Sequence, residues 1–133
     1  MKPATWLMIG ALLGAAGVAL GAFGAHGLNT LLANQSLDAE ALAKRHEWFD
    51  TAVRYHFLHA IALSLVGIVG SRAPGTAIQA SGWLFLAGIA IFSGLLYVMT
   101  FTGIKILGAI VPIGGLALLG GWIALALAAR NYE

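Results

Sequence analysis

Two histidines, His56 and His59, sit three residues apart inside an apolar stretch. Imidazole is the side chain that titrates near neutrality, and on a helix this spacing puts both rings on one face. Further along, Ser93, Tyr97 and Thr100 step by four and three, a polar stripe on an otherwise apolar segment. A polar group in hydrocarbon is costly unless it finds a partner, so the two stripes are expected to face each other. A hydrogen-bonded packing network is the plainer use of such a cluster. The alternative is a proton relay or ligand site, the common role of ionisable groups inside a membrane.

A second constellation is weaker. His46-Glu47 with Asp50 is superficially similar to the HExxH helix of zinc proteases. Asp50 stands where the second histidine would be, and Glu47 belongs to a charged face, so a solvated surface pair is the better reading. His26, from the far end of the preceding loop, could complete a three-ligand set, but spacing alone does not bring it there. No second axial ligand for a haem is identifiable beside His56 or His59. With no cysteine, thiol catalysis, thiolate metal sites and disulfides are excluded. No nucleophile–base–acid arrangement is visible, so neither enzyme activity nor a metal or cofactor is expected.

The elements that position these groups follow from composition. Hydrophobic residues make up 60% of the 133 residues and charged residues 9%, against about 25% charged in a soluble domain. Such a chain cannot cover a water-facing surface, and a net charge of +2 without a basic cluster excludes a nucleic-acid partner. Apolar segments at 5–25, 55–70, 81–100 and 106–129 are near the ~20 residues a membrane helix needs. The first also resembles a signal peptide, with Lys2 ahead of an apolar run and small residues at 21–25; it is read as a retained helix.

Residues 27–35 read as a polar connection. From Ser36, a plausible N-cap, Glu40, Lys44, Glu47, Thr51 and Arg54 recur on one face, with Trp48 and Phe49 mostly opposite. That division predicts an amphipathic helix over 36–54 in the interface plane, running without Gly or Pro into the second span. The fold expected is all-α: one domain over 1–133, an integral membrane four-helix up-down bundle with an interfacial helix leading into its second span.

The spans carry no Asp, Glu, Lys or Arg in the first, third or fourth. Ion-coupled antiporters need a buried carboxylate, and the small four-helix multidrug exporters carry a Glu in their first helix. Orientation is nearly balanced: Lys2, Arg72 and Arg130 lie on one side, Lys44, Arg45, Arg54 and Lys105 on the other. The acids Asp38, Glu40, Glu47 and Asp50 fall in the second group, which favours cytoplasmic termini.

Gly10, Gly14, Gly17, Gly21 and Gly24 step by four and three, a stripe that lets a neighbouring helix approach to backbone contact. The alternative is a groove for a lipid or thin ligand. Pro112 lacks a donor for the Gly108 carbonyl and predicts a kink before Gly114-Gly115. Trp122, mid-span, is expected to fill a gap against a glycine-lined neighbour. With no chemistry in view, the expected partners are membrane lipids and either further copies of the chain or other membrane proteins. A small channel, carrier or lipid- or quinone-binding protein built on the His/Tyr cluster is the alternative.

Four ordered motifs carry a family resemblance: Gly21-Ala22-Phe23-Gly24-Ala25-His26-Gly27, Tyr55-His56-Phe57-Leu58-His59-Ala60, Phe92-Ser93-Gly94-Leu95-Leu96-Tyr97, and Pro112-Ile113-Gly114-Gly115 with Gly121-Trp122. Together they resemble the transmembrane-protein-256-like family, small bacterial inner-membrane proteins with eukaryotic relatives and a domain of unknown function. The resemblance covers nearly the whole chain. It implies a four-helix integral membrane protein and implies no activity. Val111 stands where the family often has Thr before the proline, and Leu95 where a small Ser is common. Both departures make the interior less polar.

Overall fold

The computed structural model describes residues 1–130, and these are helical throughout, with no strand among them. Helix α1 (Pro3–His26) opens on a proline in its first turn, where a missing N–H costs nothing. A short helix, α2 (Leu28–Ala33), occupies the stretch expected as a plain connection. Its Leu28 and Leu32 are buried under Phe49, and that burial, invisible to local polarity, orders the segment.

Helix α3 (Ala39–Arg72) runs unbroken for 34 residues, about 51 Å at 1.5 Å per residue. That exceeds a ~30 Å hydrocarbon core, and its charged first turns continue the second span as one helix, beginning at Ala39 where the amphipathic stretch is expected from Ser36. Its N-cap is Asp38, which accepts from the Ala41 N–H at 2.8 Å. Ser36, expected in that role, instead adopts a left-handed turn at φ 51°.

The third span, Thr76–Thr102, comprises α4 (Thr76–Gly88), a π-turn at Ile89–Ser93 and α5 (Gly94–Thr102). It ends at Gly103, whose φ of 76° closes the helix with an N–H to the Met99 carbonyl at 2.8 Å. A 3₁₀ turn (Lys105–Ala109) then leads into α6 (Val111–Ala129). Pro112 lies in the first turn of α6 and kinks nothing. The expected break is absent because the residues before it are not α-helical, so no i−4 carbonyl is there to be orphaned.

Four helices are long and apolar enough to cross a membrane, and successive spans run antiparallel. Along α1, Gly10 lies against Ala60 and Ser64, while Gly24 at the other end lies under Phe49. Gly67 reciprocates from α3, with the Leu7 nitrogen 2.7 Å from where its Cβ would be. Between α4 and α6, large side chains enter glycine holes: Phe85 over Gly121, Leu118 over Gly88, Phe92 over Gly114. Ser81 Oγ, fully buried, adds a bond to the Gly121 carbonyl at 2.9 Å.

Candidate functional site

The buried face of α3 steps through positions 45, 49, 52, 56, 59, 63 and 66, a four-three repeat along one face of a helix. His56 and His59 occupy two of these positions and are buried. His56 Nδ1 meets the Tyr97 hydroxyl at 3.1 Å, so one histidine does reach the third span's polar stripe.

His59 does not. Its Nδ1–H donates to the Tyr55 carbonyl at 2.7 Å, and its Nε2 accepts from the Trp122 indole at 3.2 Å. A carbonyl only accepts and an indole only donates, so the ring is fixed as the neutral Nδ1–H tautomer. Phe85 and Trp122 flank it with centroids at 5.8 and 6.1 Å. Proton transfer through this ring would have to break one of two satisfied bonds. Trp122, expected as a gap filler, is also its hydrogen-bond partner.

The rest of the stripe divides. Thr100 Oγ1 bonds back to its own helix at the Leu96 carbonyl, 2.9 Å away. Ser93, in the π-turn, is fully buried, and its Oγ has no partner. His56 Nε2 is the other buried side-chain atom without one among the described residues. His56, His59, Ser93, Tyr97 and Thr100 therefore do not form one connected network.

Arg45 is the residue sequence reasoning missed. It is 8% exposed, and its Nη1 donates to the carbonyls of Met99 and Thr100. These belong to the last turn of α5, where the dipole is negative and carbonyls run short of main-chain donors, although Met99 also accepts from the Gly103 N–H. Gln35 Nε2 reaches a third, the Phe101 carbonyl, at 3.2 Å. The guanidinium lies on Gly103, where a Cβ would come within 2.9 Å of its Cζ. The available signal was register: Arg45 continues the buried four-three repeat one step ahead of Phe49, whereas Lys44 and Glu47, paired at 2.8 Å, mark the solvated face. A cleft of about 640 Å³ opens beside it, lined among others by Lys44, Arg45, Glu47, Trp48 and Lys105.

The loop-end group is not assembled into a metal centre. His46 and Asp50 share a cleft of about 510 Å³ with Asn29 and Arg54. His26 is exposed at the end of α1 and does not line that cleft. No three His, Cys, Asp or Glu residues come close enough to hold a metal among the described residues.

Of the glycine stripe, Gly10, Gly17, Gly21 and Gly24 face α3, with Gly21 the loosest: only Val53 Cγ1, at 3.7 Å, lies near its missing Cβ. Gly14 has nothing within 4 Å and lies off the seam.

Comparison with known proteins agrees on the class. The family described as "Protein of unknown function (DUF423)" matches residues 20–115. The UPF0382 membrane protein YwdK of Bacillus subtilis is 38% identical over 128 residues, covering 96% of this chain and 97% of the relative. UPF0382 membrane proteins of Staphylococcus haemolyticus and Staphylococcus aureus are 36% and 37% identical, each alignment covering 96% of both chains. No solved structure matches.

Proposed function

The chain belongs to the DUF423 family, the UPF0382 membrane proteins, and from that premise we propose that it is a non-enzymatic, self-associating component of the membrane. One observation carries the proposal: the outward face of α1. Exposed positions on α3 and α6 hold large side chains, such as Leu58, Ile61, Leu65 and Ile68, or Ile113, Leu116 and Leu119. On α1 the exposed four-three stripe at positions 4, 8, 11, 15, 18 and 22 holds alanine at all but Met8 and Val18, with the exposed Leu7 and Leu12 beside it. In lipid, association depends on close packing, and small residues permit it.

Light scattering of the protein in mild detergent tests this. A mass of two copies or more is expected, reverting to one copy in Ala15→Leu at unchanged melting temperature. A strictly monomeric, partnerless wild type would overturn it.

The bacterial inner (cell) membrane with cytoplasmic termini is the location we infer, from the relatives' naming as bacterial membrane proteins and from the acids on the opposite side. Because the chain has no cysteine, single cysteines placed at Lys2 and Lys105 would report the orientation by labelling from each side. Kinship with the transmembrane-protein-256-like proteins extends the same reading and rests on the four ordered motifs.

A second reading, a small carrier, is favoured by the unpaired His56 Nε2 and Ser93 Oγ. Flux of protons or small solutes in liposomes that falls in His56→Ala would support it; no flux in either protein would sink it.

A further inference from the structure

The flank of the α1–α3 seam holds two open clefts that share lining residues. The outer one, about 510 Å³, includes Asn29, His46, Asp50 and Arg54. The inner one, about 390 Å³, is lined by Gly17, Val18, Val53, Arg54, Phe57 and Leu58. Val53 and Arg54 belong to both, so the two form one groove, polar at its mouth and apolar below Arg54. From His46 to Leu58 it follows α3 for about 18 Å at 1.5 Å per residue. Gly17 and Gly21 form part of its α1 wall, and the nearest atom to a Gly21 Cβ would be Val53 Cγ1 at 3.7 Å.

The charges in the mouth are not used by the protein. Lys44–Glu47 is the ion pair among the described residues, and the side chains of Asp50 and Arg54 make no hydrogen bond or ion pair there. They also come in a fixed order. Asp50 lies one turn nearer the N-terminal end of α3, and Arg54 sits where the groove turns apolar. A phospholipid presents the same sequence from water inwards: an amine, then a phosphate, then acyl chain. A planar guanidinium fork suits phosphate oxygens, and a carboxylate suits a primary ammonium that can donate hydrogen bonds to it.

We infer that this groove seats one phospholipid with a primary-amine headgroup, of the phosphatidylethanolamine class. Arg54 holds the phosphate, Asp50 the ammonium, and Val18, Phe57 and Leu58 flank the first part of a chain. A quaternary choline has no N–H for Asp50, and an uncharged glycerol headgroup leaves Asp50 without a cation. The groove borders the outward stripe of α1 at Val18, and its test is separate from that of self-association because it is read by bound lipid, not by mass of assembly.

The test is native mass spectrometry of the purified full chain incubated in detergent with phosphatidylethanolamine, phosphatidylcholine or phosphatidylglycerol of matched acyl chains. Phosphatidylethanolamine should be retained best. Arg54→Gln should lower retention of every phospholipid about tenfold, the loss of a charged hydrogen-bonded partner. Asp50→Asn should abolish the preference for ethanolamine over choline while leaving total retention within about twofold, because the remaining phosphate contact is common to both. Gly21→Leu places a side chain into the open groove, so it should expel lipid. Equal retention of the three lipids by the wild type, a preference for phosphatidylglycerol, or full retention by Arg54→Gln and Gly21→Leu would overturn the assignment.

Discussion

Helix α3 is held on its two sides by different means. Towards α1 it packs through bulk: Gly10 and Gly67 let main chains meet, Phe49 and Phe57 fill the places over Gly24 and Gly17, and Ser64 Oγ bonds to the Ala60 carbonyl of its own helix. Towards the third and fourth spans it carries Arg45, His56 and His59, each bonded to a named distant group. The first side is sensitive to volume and the second to lost partners. The largest effect is expected where volume has nowhere to go. A Cβ at Gly10 would lie 2.6 Å from the Ser64 nitrogen and 2.8 Å from the Ala60 oxygen. Backbone cannot swing aside, so Gly10→Ala should separate the helices and cost about 3 kcal/mol, the upper end for overpacking. A melting temperature near that of the wild type would show that α1 is loosely docked.

On the polar side the expected effects are smaller, and they scale with how many groups are orphaned. Arg45→Ala leaves the Thr100 carbonyl without its donor and removes one of two donors from Met99. A buried acceptor left unpaired costs about 1–3 kcal/mol, and thermal melting should register about 2. Arg45→Lys should recover part of this, since an ammonium can still meet the carbonyls. Trp122→Phe keeps most of the ring's bulk but takes away the donor to His59 Nε2. Hydrogen bonds between membrane helices average about 0.6 kcal/mol, so a drop of that order is expected. A drop as large as that of Arg45→Ala would mean that His59 organises more of the interior than its two bonds reveal.

Which of these features could be read from the sequence follows from their range. The four spans, the continuity of α3 and most of the glycine seam are periodic, and period is a local property. The N-cap moved from Ser36 to Asp38 because two candidate caps two residues apart are locally equivalent, and the choice belongs to the turn geometry before them. Pro112 marks a helix start instead of a kink because the 3₁₀ turn ahead of it has no signature as plain as a proline. The candidate polar site was legible only in part. His56 and Tyr97 were paired correctly by stripe matching. The His59–Trp122 bond spans 63 positions and the Arg45–Thr100 bond 55, and nothing in either neighbourhood encodes the other end. Arg45 carried a hint in its register with Phe49 and Ala52, set against the usual exposure of arginine.

The smallest expected effect gives the finest test of the comparison, because it turns on two glycines three residues apart. At Gly17 a Cβ would lie 3.2 Å from Phe57 Cδ2 and 3.6 Å from its Cα. Phe57 is 37% exposed, so its ring can turn outward by the few tenths of an ångström required. At Gly14 a Cβ meets nothing within 4 Å. Alanine gains nearly 1 kcal/mol of helix propensity over glycine in aqueous hosts, and both substitutions receive some of it. At Gly14 nothing opposes the gain, so Gly14→Ala should leave the melting temperature unchanged or raise it slightly. At Gly17 the contact outweighs the gain: overpacking of about 1–3 kcal/mol less the propensity term leaves Gly17→Ala about 0.5 kcal/mol or more less stable, with a lower melting temperature. Gly17→Leu has to displace Phe57 altogether and should lower it further. The difference in sign between Gly14→Ala and Gly17→Ala, measured in dilute detergent, is the critical reading. If Gly14→Ala were as damaging as Gly10→Ala, another helix would have to lie against the flank of α1 that this single chain leaves open.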